Sequence, residues 1–139
     1  MDSTKKSALS EFSRRAMQRL QDKKIPKYRL LHIPSLDTDI KIRNLTFEEI
    51  KECVDIEDSD RADKYSVYLS VVDPDLRKTA IEVMEAEADL PADQRSLKEP
   101  LDIVNIFEMG ELTDIAMQVM EVSGVVNTLK VTVVEQLKN

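Results

Sequence analysis

Tryptophan is absent from this chain, and its three Phe and three Tyr make up only 4% of it. Any core must therefore be built from Leu, Ile, Val, Met and Ala. There are only two glycines, Gly110 and Gly124. That excludes a glycine-rich phosphate loop and argues against a turn-dense, sheet-rich fold. A single cysteine, Cys53, rules out an internal disulfide framework and fits a reducing cytosol. A single histidine, His32, leaves too few soft ligands for zinc, which takes about four, mostly Cys and His. No apolar run approaches the roughly 20 residues that span a bilayer, and the N-terminus lacks the apolar stretch of a signal peptide. These absences point to a protein of the cytoplasm, not of a membrane.

What is present is charge and aliphatic periodicity. The 139 residues suit one domain, and 42% of them are hydrophobic. The formal net charge of -7 is unevenly placed. Residues 1–29 hold nine Lys/Arg against three Asp/Glu, and residues 30–139 hold eleven against 24. A basic head on an acidic body is the pattern of an interaction arm. The acidic body should repel nucleic-acid phosphates, whose binding rests on Lys and Arg.

Residues 7–22 read as an amphipathic helix with Leu9, Phe12, Ala16, Met17 and Leu20 on one face and Arg14, Arg15 and Arg19 elsewhere. Lys23-Lys24-Ile25-Pro26 ends it. Residues 1–27 are accordingly read as a basic arm, either docked on its own body or offered to a partner, and residues 28–139 as a single helical domain. Tyr28–Ile33 and Asp39–Arg43 read as the two strands of a small hairpin, with Ile40 and Ile42 inward. Thr46-Phe47-Glu48-Glu49 is a capping box opening a helix that should bury Phe47, Ile50 and Val54. After an acidic break at Asp55–Asp60, helices are expected over 61–72 (Tyr65, Tyr68, Leu69 and Val72 inward) and 75–89 (Leu76, Ala80, Val83, Met84). Leu90–Arg95 reads as a linker. Glu99-Pro100 opens a further helix with Leu101, Val104 and Phe107 inward, closed by Met109-Gly110. The next covers 111–122 and ends at Ser123-Gly124. Val125–Asn139 is read as helix over strand, on the spacing of Leu129, Val133, Val134 and Leu137. The expected fold is mainly α, a compact multi-helix domain with a small N-terminal β-hairpin.

Chemistry is scarce. Cys53 falls mid-helix with no adjacent base, so it reads as a small buried hydrophobe and His32 as a surface strand residue. The acidic run Asp55, Glu57, Asp58 and Asp60 lacks an EF-hand's glycine and terminal glutamate; counted from Asp58, Asp63 and Leu69 stand at those positions. No catalytic, cofactor or metal residues are expected, and the protein is read as no enzyme. Candidate partner contacts are Phe12 and Leu20 on the first helix, then Leu101, Phe107, Met109, Met117 and Met120, where flexible thioethers suit an adaptable binding surface.

The order of short motifs carries a resemblance. Ile40-Lys41-Ile42-Arg43-Asn44-Leu45-Thr46-Phe47-Glu48-Glu49 is followed by Lys64-Tyr65, Val71-Val72-Asp73-Pro74-Asp75-Leu76, Glu99-Pro100-Leu101-Asp102-Ile103-Val104, Gly110-Glu111-Leu112 and Val122-Ser123-Gly124. The chain ends Val134-Glu135-Gln136-Leu137-Lys138-Asn139. Over roughly residues 28–139 this set resembles the tail assembly chaperones of long-tailed phages and of defective, phage-like elements of Gram-positive bacteria. It departs at Leu90–Lys98, a plain polar linker where members of that family carry aromatic and glycine residues. The resemblance implies a largely helical fold with a small N-terminal sheet. It also implies a non-enzymatic function: binding a helical tape measure protein in the bacterial host's cytoplasm until the tail tube assembles, then absence from the finished virion. Two other readings stand beside it. One is a nucleic-acid-associated regulator working through the basic helix. The other is a generic helical adaptor that self-associates through that helix. No membrane partner is expected.

Overall fold

The computed structural model describes residues 10–125 and 133–136. Its architecture is helix-rich α+β: five α-helices and three short 3-10 segments around a small antiparallel sheet, among the described residues. The elements run α1 (Glu11–Asp22), β1 (Tyr28–Ile33), β2 (Thr38–Arg43), α2 (Phe47–Val54), α3 (Ser59–Ser70), β3 (Val71–Asp73), α4 (Leu76–Ala86) and α5 (Met109–Val122). The 3-10 segments are Pro34–Leu36, Ala92–Gln94 and Pro100–Ile106.

The sheet corrects the expected hairpin. β1 and β2 pair antiparallel, with Leu31 opposite Ile40, but β2 also pairs with a third strand, Val71 lying opposite Ile42. A helix expected to run through Val72 stops at Ser70 instead. Val71 and Val72 are β-branched and precede Asp73-Pro74, so they lose little by leaving the helix and gain β2's hydrogen-bonding edge. Between β1 and β2, Asp37 takes the left-handed conformation that closes the turn.

Caps set the helix starts. The Thr46 hydroxyl accepts from the Glu49 N–H at 3.2 Å and the Glu49 carboxylate accepts from the Thr46 N–H at 2.9 Å, completing the expected box. Asp58 accepts from the Asp60 and Arg61 N–H groups, so α3 begins inside the stretch read as an acidic break. Asp75 caps α4, which ends at Ala86 rather than residue 89. Met109-Gly110 does not close a helix: it opens α5, where the Glu111 carboxylate accepts from the Glu108 N–H at 2.9 Å. Gly124, in contrast, has φ 83° and ends α5 as expected.

The core lies between the inner sheet face and α3, α4, α5 and the Pro100–Ile106 turn. Ile40 and Ile42 meet Val67, Leu69, Leu76, Ala80, Ile103, Val104, Phe107, Ile115 and Val119 there. Leu97, alone in a polar linker, is buried as well. On α2 the buried residue is Cys53, with Ile50 packed beside it; Phe47 and Val54, expected inward, are 79% and 74% exposed. The two solutions share Ile50 and differ by roughly 60° of rotation about the helix axis, and Glu49 chooses between them. Its bidentate pair with Arg43 (2.7 and 2.8 Å) pins the first turn of α2 to the end of β2. Two buried serines, Ser66 and Ser70, donate to carbonyls of their own helix. Of the tail, Val125 and Val133–Gln136 have no regular structure and are exposed; the rest of the expected C-terminal helix lies outside the described residues, as does Leu9.

Candidate partner-binding surface

The first candidate surface is α1. Ser10 caps it, its hydroxyl accepting from the Ser13 N–H at 3.0 Å. At 100° per residue, Phe12, Ala16, Leu20, Ser13 and Met17 occupy one arc of the cylinder, bordered by Arg19 and Arg15 on one side and Arg14 on the other. Among the described residues nothing buries this apolar arc. No residue of α1 is buried, and Phe12 is 80% exposed, Leu20 63%. The chain returns to the body at Lys27, whose N–H donates to the Asn44 side chain while its carbonyl accepts from the Asn44 N–H.

The second surface is the outer side of α5. The inner side carries Leu112, Ile115, Ala116, Val119 and Val122 into the core. Polar staples fix its flank to the sheet. Ser35, in the β1–β2 turn, donates its N–H (2.9 Å) and its hydroxyl (2.6 Å) to Glu111, and these bonds hold that carboxyl below its ordinary range. Arg29 of β1 donates to Gln118 and Glu121. At the far end Ser123 accepts from the Leu45 N–H and donates to the Val119 carbonyl. What remains outward is Met109, Thr113 and Met117, one turn apart each, with Met120 half-buried beneath them. Met109 is 80% exposed and Met117 65%.

The candidate contacts thus divide. Phe12, Leu20, Met109 and Met117 are exposed. Leu101 and Met120 are half-buried, and Phe107 lies in the core, since the Pro100–Ile106 segment winds as a tight 3-10 helix that turns Ile103, Val104 and Phe107 inward together. Phe107 is unavailable to a partner without opening the core. Sequence reasoning missed Asp114 and Glu121, the acidic border of the methionine row, which only the placement of α5 reveals. It also missed exposed Ile81 and Ile106.

Groups that could carry chemistry are dispersed. His32 is exposed on β1, its Nδ1 2.7 Å from Asp39 and its Nε2 3.8 Å from Asp37. Cys53 is buried, and burial, with Glu52, Glu49 and Asp63 around it, pushes its thiol up to about 11. That is the opposite of an activated nucleophile. The Tyr65 hydroxyl donates to Glu52 at 2.6 Å, a bond that raises the phenol to about 12. No three His, Cys, Asp or Glu side chains converge as a metal site among the described residues. The better-formed depressions are shallow: one lies on α1 beside Met17, and one of about 170 Å³ lies between Arg43, Tyr68 and Arg77. Small-molecule sites usually run to roughly 300–1,000 Å³. No described helix is long and apolar enough to cross a membrane. No family model, curated protein or solved structure matches the chain.

Proposed function

We propose that this chain is a non-enzymatic binding protein for a helical client, acting as a tail assembly chaperone that keeps a tape measure protein in solution until the tail tube forms around it. The observation that carries the binding role is the uncovered apolar arc of α1, ringed by arginines, with the exposed methionine row of α5 as a second surface. Both suit pairing with the apolar face of an amphipathic client helix, and thioethers adapt to varied side chains along a long client. Many weak copies on one client would gain by avidity. The motif order through residues 40–124 is what directs the proposal to phage tails. The apolar arc argues against the nucleic-acid reading, since Phe12, Met17 and Leu20 offer phosphates nothing.

The test is co-expression with a long helical tape measure protein of a long-tailed phage, followed by pull-down. The full chain should recover a stable complex, and F12E/L20E together with M109E/M117E should cut recovery at least tenfold. A client that stays soluble alone and never co-purifies would remove the chaperone reading.

A further inference from the structure

Among the exposed apolar helix faces of the described residues, which include Phe47 and Val54 on α2, those of α1 and α5 complement each other in charge. Residues 10–27, which contain α1, hold six Lys/Arg against two Asp/Glu. Residues 108–122, which contain α5, hold four Asp/Glu and no Lys or Arg. The anchors are also equally spaced. Phe12 and Leu20 are eight residues apart, as are Met109 and Met117, so each pair spans ~12 Å along its helix. Arg19 borders the Phe12–Leu20 arc, while Asp114 borders the methionine row, with Glu121 beside it already paired to Arg29 of its own copy. Flexible methionines are well suited to receive a phenylalanine and a leucine, and the border charges would meet their opposites.

We infer that a second copy of this chain covers the α5 methionine face with its basic helix α1. The contact is head-to-body: arm of one copy, body of the next. Each copy then still has one arm or one body face free, so the association extends beyond a pair unless it closes into a ring. A single face of a 12-residue helix, ~18 Å long, falls short of the roughly 1,200 Å² at which stable interfaces begin. The association is therefore weak, concentration-dependent and sensitive to salt, because its border contacts are solvent-exposed charges. The inference does not depend on the identity of any client.

Two variants of the full chain test it, both altering exposed side chains: F12E/L20E spoils the arm and M109E/M117E spoils the body. Light scattering after size exclusion should show the unaltered protein growing in mass with concentration at low salt and reverting towards one copy in 0.5 M salt (on the order of a 3–5 Å screening length). Each variant alone should stay at the mass of one copy. Mixed one to one, they should form a heterodimer and no larger species, because the mixture retains one intact arm and one intact body face. An unaltered protein that remains single at every concentration overturns the proposal. So does a mixture that stays monomeric, as expected if each arm folds onto its own body. Binding of the monomeric protein to phosphatidylserine vesicles, lost in F12E/L20E and kept in M109E/M117E, would overturn it in favour of an anionic membrane surface.

Discussion

Helices α1 and α5 are both amphipathic, both capped and of similar length, yet only α5 is folded into anything. α5 turns Leu112, Ile115, Ala116, Val119 and Val122 into the core, whereas α1 buries none of its residues. Of the two, α1 has the cleaner segregation of apolar from charged side chains in its sequence. A sharp apolar stripe therefore states that a face needs cover, not that its own chain supplies it. The difference lies in what surrounds each helix. α5 is tied to the sheet region by its own residues, Glu111 to Ser35 and Gln118 to Arg29, and by its cap, Ser123 to Leu45. α1 is joined to the body through the Lys27–Asn44 bonds at the end of a turn. An isolated helix of 12 residues is marginal in water, so α1 has the most to gain from a partner.

The comparison breaks if truncating the two helices costs the same. Ile115→Ala removes a side chain 2% exposed in the middle of the core and should destabilise the fold by about 2–5 kcal/mol. Leu20→Ala, at a site 63% exposed, should stay within about 0.5 kcal/mol. Urea midpoints of the two variants measure this directly. Equal losses would mean that α1 packs on the body in solution.

Two ion pairs extend the contrast to charge. Arg43 and Glu49 form a bidentate pair with side chains only 25% and 19% exposed, while Arg15 and Glu11 on α1 are 77% and 70% exposed. The Arg43 guanidinium, with the Thr46 backbone, holds the Glu49 carboxyl at about 2 instead of 4.5. A carboxylate depressed in the folded state contributes stability above its unfolded pKa and loses it as pH falls towards the folded value. The pair's contribution should therefore be complete above pH 4.5 and fade between pH 4.5 and 2. Allowing for partial exposure, it amounts to about 1–2 kcal/mol. Glu49→Gln should lower the urea midpoint at pH 7 and flatten the fall in that acid window. Glu11→Gln should leave both unchanged. An acid transition of the same shape with and without Glu49 would remove the pair from this account.

What the sequence revealed follows the same line. The Thr46 box, the Gly124 stop and the β1 and β2 segments were legible because each rests on a local rule: a hydroxyl three residues before a carboxylate, a left-handed glycine, an alternating Ile-Lys-Ile. The errors arose where a distant residue decided. Val71-Val72 leaves the helix for the edge of β2, and α2 rotates Phe47 out because Arg43 holds Glu49. Met109-Gly110 looked like a helix end, yet Glu108 and Glu111 make it a beginning. The candidate surface is half legible. Phe12, Leu20, Met109 and Met117 were picked out by type and spacing, but Phe107 could be separated from them only by its position in the core, and the acidic border only by the placement of α5.

The smallest expected effect is the most telling about the arm. Ser10→Ala removes the α1 cap, and cap losses typically cost about 1 kcal/mol of local helix stability. Because α1 contributes no residue to the core, that loss should fray α1 and leave global unfolding untouched. Deleting residues 1–24 should likewise change the unfolding free energy by no more than about 0.5 kcal/mol, since Lys27 and its bonds to Asn44 remain. Amide exchange should show rapid exchange throughout α1 and slow exchange in α5 in the dilute protein. If the arm docks on a second copy, protection in α1 should rise with concentration and vanish in M109E/M117E. Protection of α1 that is independent of concentration would place the arm on its own body and erase the distinction between the two helices.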